Sequence, residues 1–231
     1  MTRPTPRSRG EELLLARISA AAGRERIGRR CATYAGAART PHAPPAPVRW
    51  IRGLPAFVRC GRRSATKSAD ARLDLYEHGL TVAVKGRIHV VRYDTTAMFR
   101  KSSPTARTYT LTDVEGKRVV LLGRPEESGA EEWGPEIQRA ITHAQLPQAL
   151  AALDNGARLV FGDIWLTRER VGVGEVSVRW PQVRQIDLGE GAVRLVTDGK
   201  GRRLVSTTSP VPNLFVLRAL VERLRTDGMR A

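Results

Sequence analysis

The chain has 231 residues, with 39 Lys and Arg against 23 Asp and Glu, for a formal charge of +16. That length fits one large domain or two small ones, and 41% apolar residues suffice for a core, which excludes a wholly disordered chain. No apolar run reaches the roughly 18 residues a membrane-spanning helix needs, and no apolar stretch of a signal peptide precedes Glu11, so a cytoplasmic protein is expected. Residues 1–67 form a basic leader with 15 Lys and Arg and three acids, a net of +12; residues 68–231 carry only +4. Only five of the basic residues are lysine, a bias that reads as the codon usage of a GC-rich genome rather than as phosphate recognition. Within the leader, Glu11 to Arg30 reads as a helix: two acids open it, arginines crowd its end, and Leu14, Ile18, Ala21 and Ala22 make one stripe. Residues 41–47 are a proline-rich linker, and residues 49–59 are an apolar-aromatic segment fenced by arginines. Cys31 and Cys60 sit in no metal-ligand or redox spacing and read as reduced thiols, although Arg29 and Arg30 stand close enough in sequence to activate Cys31.

From Arg72 onward the pattern changes to strands. Leu73 and Leu75, then Leu80, Val82 and Val84, then Ile88 and Val90 alternate with other residues at period two. Glu77-His78-Gly79, Lys85-Gly86-Arg87 and Val114-Glu115-Gly116 read as the turns of successive hairpins. A helix is predicted from Glu131 to Leu153, with Pro147 expected to kink or break it near Ala144. A last helix is predicted from Asn213 to Leu224, with Leu214, Leu217, Leu220, Val221 and Leu224 apolar.

Two segments occur twice in the same order. Ile88-His89-Val90-Val91-Arg92-Tyr93 matches Glu175-Val176-Ser177-Val178-Arg179-Trp180, each a strand ending in Val-Arg-aromatic. Leu111-Thr112-Asp113-Val114-Glu115-Gly116-Lys117-Arg118 matches Val196-Thr197-Asp198-Gly199-Lys200-Gly201-Arg202-Arg203, and an amphipathic helix follows each. The pattern predicts a tandem duplication, with one unit over 70–154 and a second over 157–227.

Each unit reads as short antiparallel strands followed by one helix, an α+β class. The layout resembles pleckstrin-homology-like (PH-like) domains, small antiparallel barrels or sheets each closed by a C-terminal helix. Leu73 to Leu80, Val90 to Asp94, Tyr109 to Asp113, Glu132 to Gln138, Arg158 to Asp163 and Pro212 to Phe215 resemble a family of actinobacterial proteins of unknown function. The likeness runs from about residue 13 to residue 225. It implies tandem PH-like units behind a basic helix, and no activity.

Residues with chemistry are scattered. His42, His78, His89 and His143 have no carboxylate or cysteine at ligand spacing, so no metal or cofactor is implied. No P-loop or nucleophile elbow occurs. Asp113 and Asp198 read as residues that cap their own hairpin turns, and His143 as solvent-exposed. Trp133 reads as a core anchor. Arg92 and Arg179 recur beside an aromatic: either they face an anionic ligand in each unit, or they stack on Tyr93 and Trp180.

The function these readings favour is a non-catalytic binding or scaffold protein, at the inner face of a membrane or on a protein partner. Arg49, Arg52, Arg59, Arg62 and Arg63 are the candidate contacts to an anionic surface, with Trp50, Ile51, Leu54 and Phe57 as candidate interfacial residues. The same apolar segment could instead pack on the first unit. Nucleic-acid binding through the leader is the alternative, weakened by an aromatic content of 5% and the lack of a recognition-helix motif. An enzyme is a second alternative, for which no clustered polar site can be assembled.

Overall fold

The computed structural model describes residues 9–35, 38–39, 71–104, 106–123, 130–189, 192–197, 203–206 and 211–228. Glu11 and Glu12 in the first turn and Arg24 in the last oppose the macrodipole of helix α1, Arg9–Arg24. The helix stops before the predicted Arg30 because Arg26 takes a left-handed backbone, φ 52°. That turn closes with Ile27 N–H donating to Ala22 O at 3.2 Å and Arg26 N–H to Gly23 O at 3.1 Å, the two-bond helix stop of a Schellman motif.

Past Gly28 the chain becomes strand β1, Arg30–Ala35, then the short β2, Ala38–Arg39. No alternation announces β1 in the sequence. Six strands follow after residue 71: β3 Arg72–Tyr76, β4 Gly79–Val84, β5 Arg87–Arg92, β6 Ala97–Ser103, β7 Ala106–Thr112 and β8 Arg118–Gly123. They make two antiparallel sheets, ordered β1-β3-β4-β5 and β2-β8-β7-β6. The β1–β2 segment thus starts in one sheet and ends in the other. The predicted turns hold: Lys85 and Gly86, both at positive φ, form the two-residue link between Val84 and its partner Arg87. Leu73, Leu75, Leu80, Val82 and Val84 face the core as the alternation predicts.

Helix α2, Ala130–Asp154, covers the core. Trp133 at its start is fully buried and meets Tyr109 edge to face at 5.1 Å, the anchoring role its position predicts. The expected break near Ala144 does not occur: the helix runs on through Pro147. Proline in a helix interior costs about 3 kcal/mol, and burial of Ile137 and Ile141 before it and Leu153 after it holds both arms against the core.

The second half has sheet β12-β11-β10-β9, built from β9 Leu159–Phe161, β10 Ile164–Leu166, β11 Arg170–Val173 and β12 Val176–Arg179. Sheet β13-β14-β15 follows, from β13 Val183–Gly189, β14 Ala192–Thr197 and β15 Arg203–Ser206, and then helix α3, Leu214–Gly228. Leu217, Leu220, Val221 and Leu224 of α3 are buried as predicted. The architecture is mixed α+β with three helices. None of the four antiparallel sheets closes into a barrel among the described residues, because the chain leaves each first sheet through a turn that makes no ladder to the next strand.

The two halves share one core, and α2 packs on α3. A polar junction crosses between them at the start of α3. Asn213 exchanges two hydrogen bonds with Met98: its N–H donates to Met98 O at 2.8 Å, and its Oδ1 accepts from Met98 N–H at 2.7 Å. Its amide nitrogen donates to Gln145 Oε1 at 2.8 Å and to Thr96 O at 3.0 Å, while Gln145 Nε2 donates to Tyr93 O and Thr96 O.

Candidate functional site

The anionic-surface candidates Arg49, Arg52, Arg59, Arg62 and Arg63, and the apolar candidates Trp50, Ile51, Leu54 and Phe57, lie outside the described residues, as do Cys60 and Asp198. Their place in the topology is defined, because residues 40–70 connect β2 of one sheet to β3 of the other. The preceding part of the leader is joined to the first half. Arg17 donates to Gly86 O at 3.0 Å, Arg29 N–H to Glu77 Oε2 at 3.0 Å, and Tyr34 Oη to Glu136 Oε2 at 3.1 Å.

Beneath α1, the outer face of sheet β1-β3-β4-β5 holds a closed polar cluster. Asp74 is fully buried, and Arg72 grips it through both ends of the guanidinium, at 2.7 and 2.9 Å. Thr33 Oγ1 donates to the same carboxylate at 2.5 Å. Ala22 and Ile27 pack on Tyr76, with Val90 beside them, to seal the face.

The two recurring arginines have different surroundings. Arg92 forms a two-point pair with Asp94, at 2.6 and 3.0 Å, and donates to Glu25 O at the end of α1 at 2.9 Å. That guanidinium hydrogen-bonds the Asp94 carboxylate and holds its pKa below the ordinary value. Arg92 is therefore a strut between strand and helix. Arg179 is exposed and has no ion pair among the described residues. Neither arginine stacks on its neighbouring aromatic; Tyr93 and Trp180 are both buried, and the guanidinium–aromatic contacts found are Arg100 over Phe215 and Arg158 over Trp165.

Asp113 caps its own turn as predicted, its Oδ1 accepting from Glu115 N–H at 3.0 Å and Lys117 N–H at 2.8 Å. His143 is exposed, as predicted. His89 is half-buried with Nδ1 unpartnered, and burial together with Lys117 and Arg87 pushes its pKa below the usual imidazole value. The Cys31 thiol is pushed up by desolvation and by Glu77 and Glu136, the opposite of activation.

Sequence reasoning misses the outer face of the second half. Leu159, Leu166, Val171 and Val178 point into the core, so Val160, Trp165, Gly172 and Ser177, adjacent across four strands, share the opposite face. Trp165 lies flat over Gly172, where an added Cβ would meet the ring at 2.5 Å. Its indole N–H donates to Gly174 O at 2.9 Å, and the Arg158 guanidinium stacks on the ring at 3.9 Å. Arg170 and Arg179 stand directly opposite each other on β11 and β12, and Arg170 donates to Ser177 Oγ at 2.9 and 3.1 Å. The only available sequence signal was a tryptophan with a glycine at hairpin spacing beyond it.

Among the described residues no group of three His, Cys, Asp or Glu is placed to hold a metal ion, and no helix is long and apolar enough to cross a membrane. No curated protein matches the sequence. A family model matches residues 65–229, which begins after most of the leader and takes in both halves and α2 and α3. The chain belongs to the family of unknown function DUF6585.

Proposed function

We propose that this is a non-catalytic binding or scaffold protein made of two tandem PH-like units, acting at the inner face of a membrane. The repeat reading is supported by order: with β1 supplied by the leader, a four-stranded sheet is followed by three consecutive antiparallel strands and a helix in each half. The matched Val-Arg-aromatic segments both end the last strand of the first sheet, and the matched Thr-Asp segments both follow the middle strand of the second run. The non-catalytic reading draws support from three acids, Asp74, Asp94 and Asp113, each held in a structural pair or turn.

The observation that carries the membrane reading is the basic, aromatic stretch between two fixed strands. Residues 40–70 carry six Lys and Arg and one acid, and are tethered at both ends by β2 and β3. Each basic residue near an anionic leaflet contributes about 1 kcal/mol, and Trp50 and Phe57 would sit at the headgroup level.

The test replaces residues 40–70 with a short Gly-Ser linker and leaves β1 and α1 in place. Co-sedimentation with vesicles containing phosphatidylserine is expected for the parent chain and lost in the variant and in the five-fold Arg49, Arg52, Arg59, Arg62, Arg63→Gln chain. Equal recovery in the supernatant for all three overturns the membrane reading. Retention of an oligonucleotide with no binding to vesicles would replace it with the nucleic-acid alternative.

A further inference from the structure

The two halves treat the same sheet face in opposite ways. In the first half, α1 packs over β4 and β5 and on Tyr76 at the outer face of β1-β3-β4-β5, and the arginines there, Arg30, Arg72 and Arg92, each stand against a carboxylate. In the second half no helix among the described residues covers the outer face of β9–β12. There Arg158 rests on a tryptophan ring, Arg170 on a neutral hydroxyl, and Arg179 on no acid at all. The sequence accounts for the difference. Aligning Arg92-Tyr93 with Arg179-Trp180 sets Asp94 against Pro181, so the second copy lacks the carboxylate that pairs the first.

The arrangement costs the isolated protein stability. Arg170 and Arg179 are direct cross-strand partners, and like charges so placed repel. On the same face Val160, 62% exposed on β9, stands opposite the flat Trp165 on β10, so an apolar pair carrying Arg158 lies on one side of the face and Arg170 and Arg179 on the other. Guanidiniums that lack a carboxylate, set around an aromatic platform, have the chemistry of a protein docking site rather than of a solvated sheet face.

We propose that the outer face of β9–β12 docks an acidic amphipathic segment of a partner protein, one carboxylate of which pairs with Arg179 as Asp94 pairs with Arg92. Apolar side chains of that segment cover Trp165 and Val160, as Ala22 and Ile27 cover Tyr76 in the first half. This deepens the binding reading above and names a second surface for it, independent of residues 40–70.

The probe is a synthetic amphipathic helix of Leu, Ala and Glu, with a matched peptide carrying Gln for every Glu. Binding to the full-length protein is read by titration calorimetry and by the Trp165 indole resonance, assigned with Trp165→Phe. The Glu peptide is expected to bind and to shift that resonance, and the Gln peptide to bind at least about tenfold more weakly. Arg158→Glu with Arg179→Glu, both exposed positions, is expected to weaken the Glu peptide at least about tenfold. Arg139→Glu with Arg223→Glu, exposed on the two helices, is expected to leave it unchanged. If the reversed pair fails to fold by near-ultraviolet circular dichroism, Arg179→Gln alone carries the comparison. Equal loss in the helix control, equal binding of the Gln peptide, or binding only to anionic vesicles or an oligonucleotide overturns the proposal. The Gly-Ser replacement of residues 40–70 separates the two readings: it is expected to abolish vesicle binding and to leave peptide binding intact.

Discussion

The Asn213 amide nitrogen donates to Gln145 Oε1 at 2.8 Å across 68 residues, and the two side chains together tie α3 and α2 to the backbone around Tyr93, Thr96 and Met98. Asn213 holds this position at φ 48°, a left-handed conformation that asparagine tolerates better than most residues. Asn213→Ala loses its side-chain hydrogen bonds and keeps the backbone strain. A destabilisation of about 2–4 kcal/mol is expected from urea unfolding. Asn213→Gly, which relieves the strain but not the bonds, should fall between the two. Equal stability of all three would show that the junction contributes nothing.

Removing one member of the buried pair in the first half should cost more than removing both. Asp74→Ala leaves Arg72 facing Thr33 without its carboxylate and is expected to destabilise by about 3–5 kcal/mol. The double variant Asp74→Leu with Arg72→Met should recover a large part of that loss. A double variant at least as unstable as Asp74→Ala would show that the pair is worth more than its desolvation cost.

The Arg92–Asp94 pair sets an acid limit. The folded pKa of Asp94 lies below its unfolded value, so its contribution is complete above about pH 4 and is lost as pH falls through the lower folded value. Asp94→Asn should lower stability at neutral pH and make the remaining stability flatter on the acid side. Parallel acid limbs for the parent and the variant would refute the assignment.

His89 titrates in the opposite charge sense and with the same direction of effect. Its folded pKa lies below the unfolded value of about 6.5, because burial and then Lys117 and Arg87 disfavour the cation. Stability is therefore full above that pH and declines as the unfolded state binds the proton first. Its imidazole resonance should titrate with a midpoint below that of a free histidine, and His89→Leu should lose the decline. A midpoint at or above the ordinary value would be incompatible with the burial described.

Gly172→Ala places a methyl group against the Trp165 ring and 2.7 Å from Val176 O. The ring must lift away from the sheet, at a cost of about 1–3 kcal/mol, and its contact with Arg158 should be lost. Thermal unfolding and the Trp165 indole shift report the two effects separately; an unshifted indole would mean that the ring does not rest on Gly172.

Period-two alternation makes β3 and β4 legible in the sequence, because one face of each packs on the core while turns such as Lys85-Gly86 punctuate them. In β5 it marks the wrong face, since Val91 packs on the core and Val90 lies on the opposite face under Ala22 and Ile27. It fails for β1, Arg30-Cys31-Ala32-Thr33-Tyr34-Ala35, where small and polar residues occupy both faces, Ala32 and Tyr34 packing toward the core while Cys31 stays exposed. Pro147 leaves its helix unbroken for a related reason: the local cost of proline is offset by burial of the helix on both sides of it. The repeat was readable because Val-Arg-aromatic and Thr-Asp turns recur in order. The different fates of Arg92 and Arg179 were not, since they depend on Asp94 and Pro181, on α1, and on a ring lying flat over Gly172.

The path of β1 has a kinetic and a covalent consequence. Thr33 meets Asp74 across 41 residues, so the first strand to be synthesised stays unpaired until β3 emerges behind residues 40–70, and closing that span raises the contact order of the first half. Chain continuity through residues 40–70 then adds little to an assembly already joined by β1–β3 pairing and by the contacts of Arg17, Arg29 and Tyr34. A single protease nick there should leave two fragments that migrate together on a native gel and separate only in denaturant.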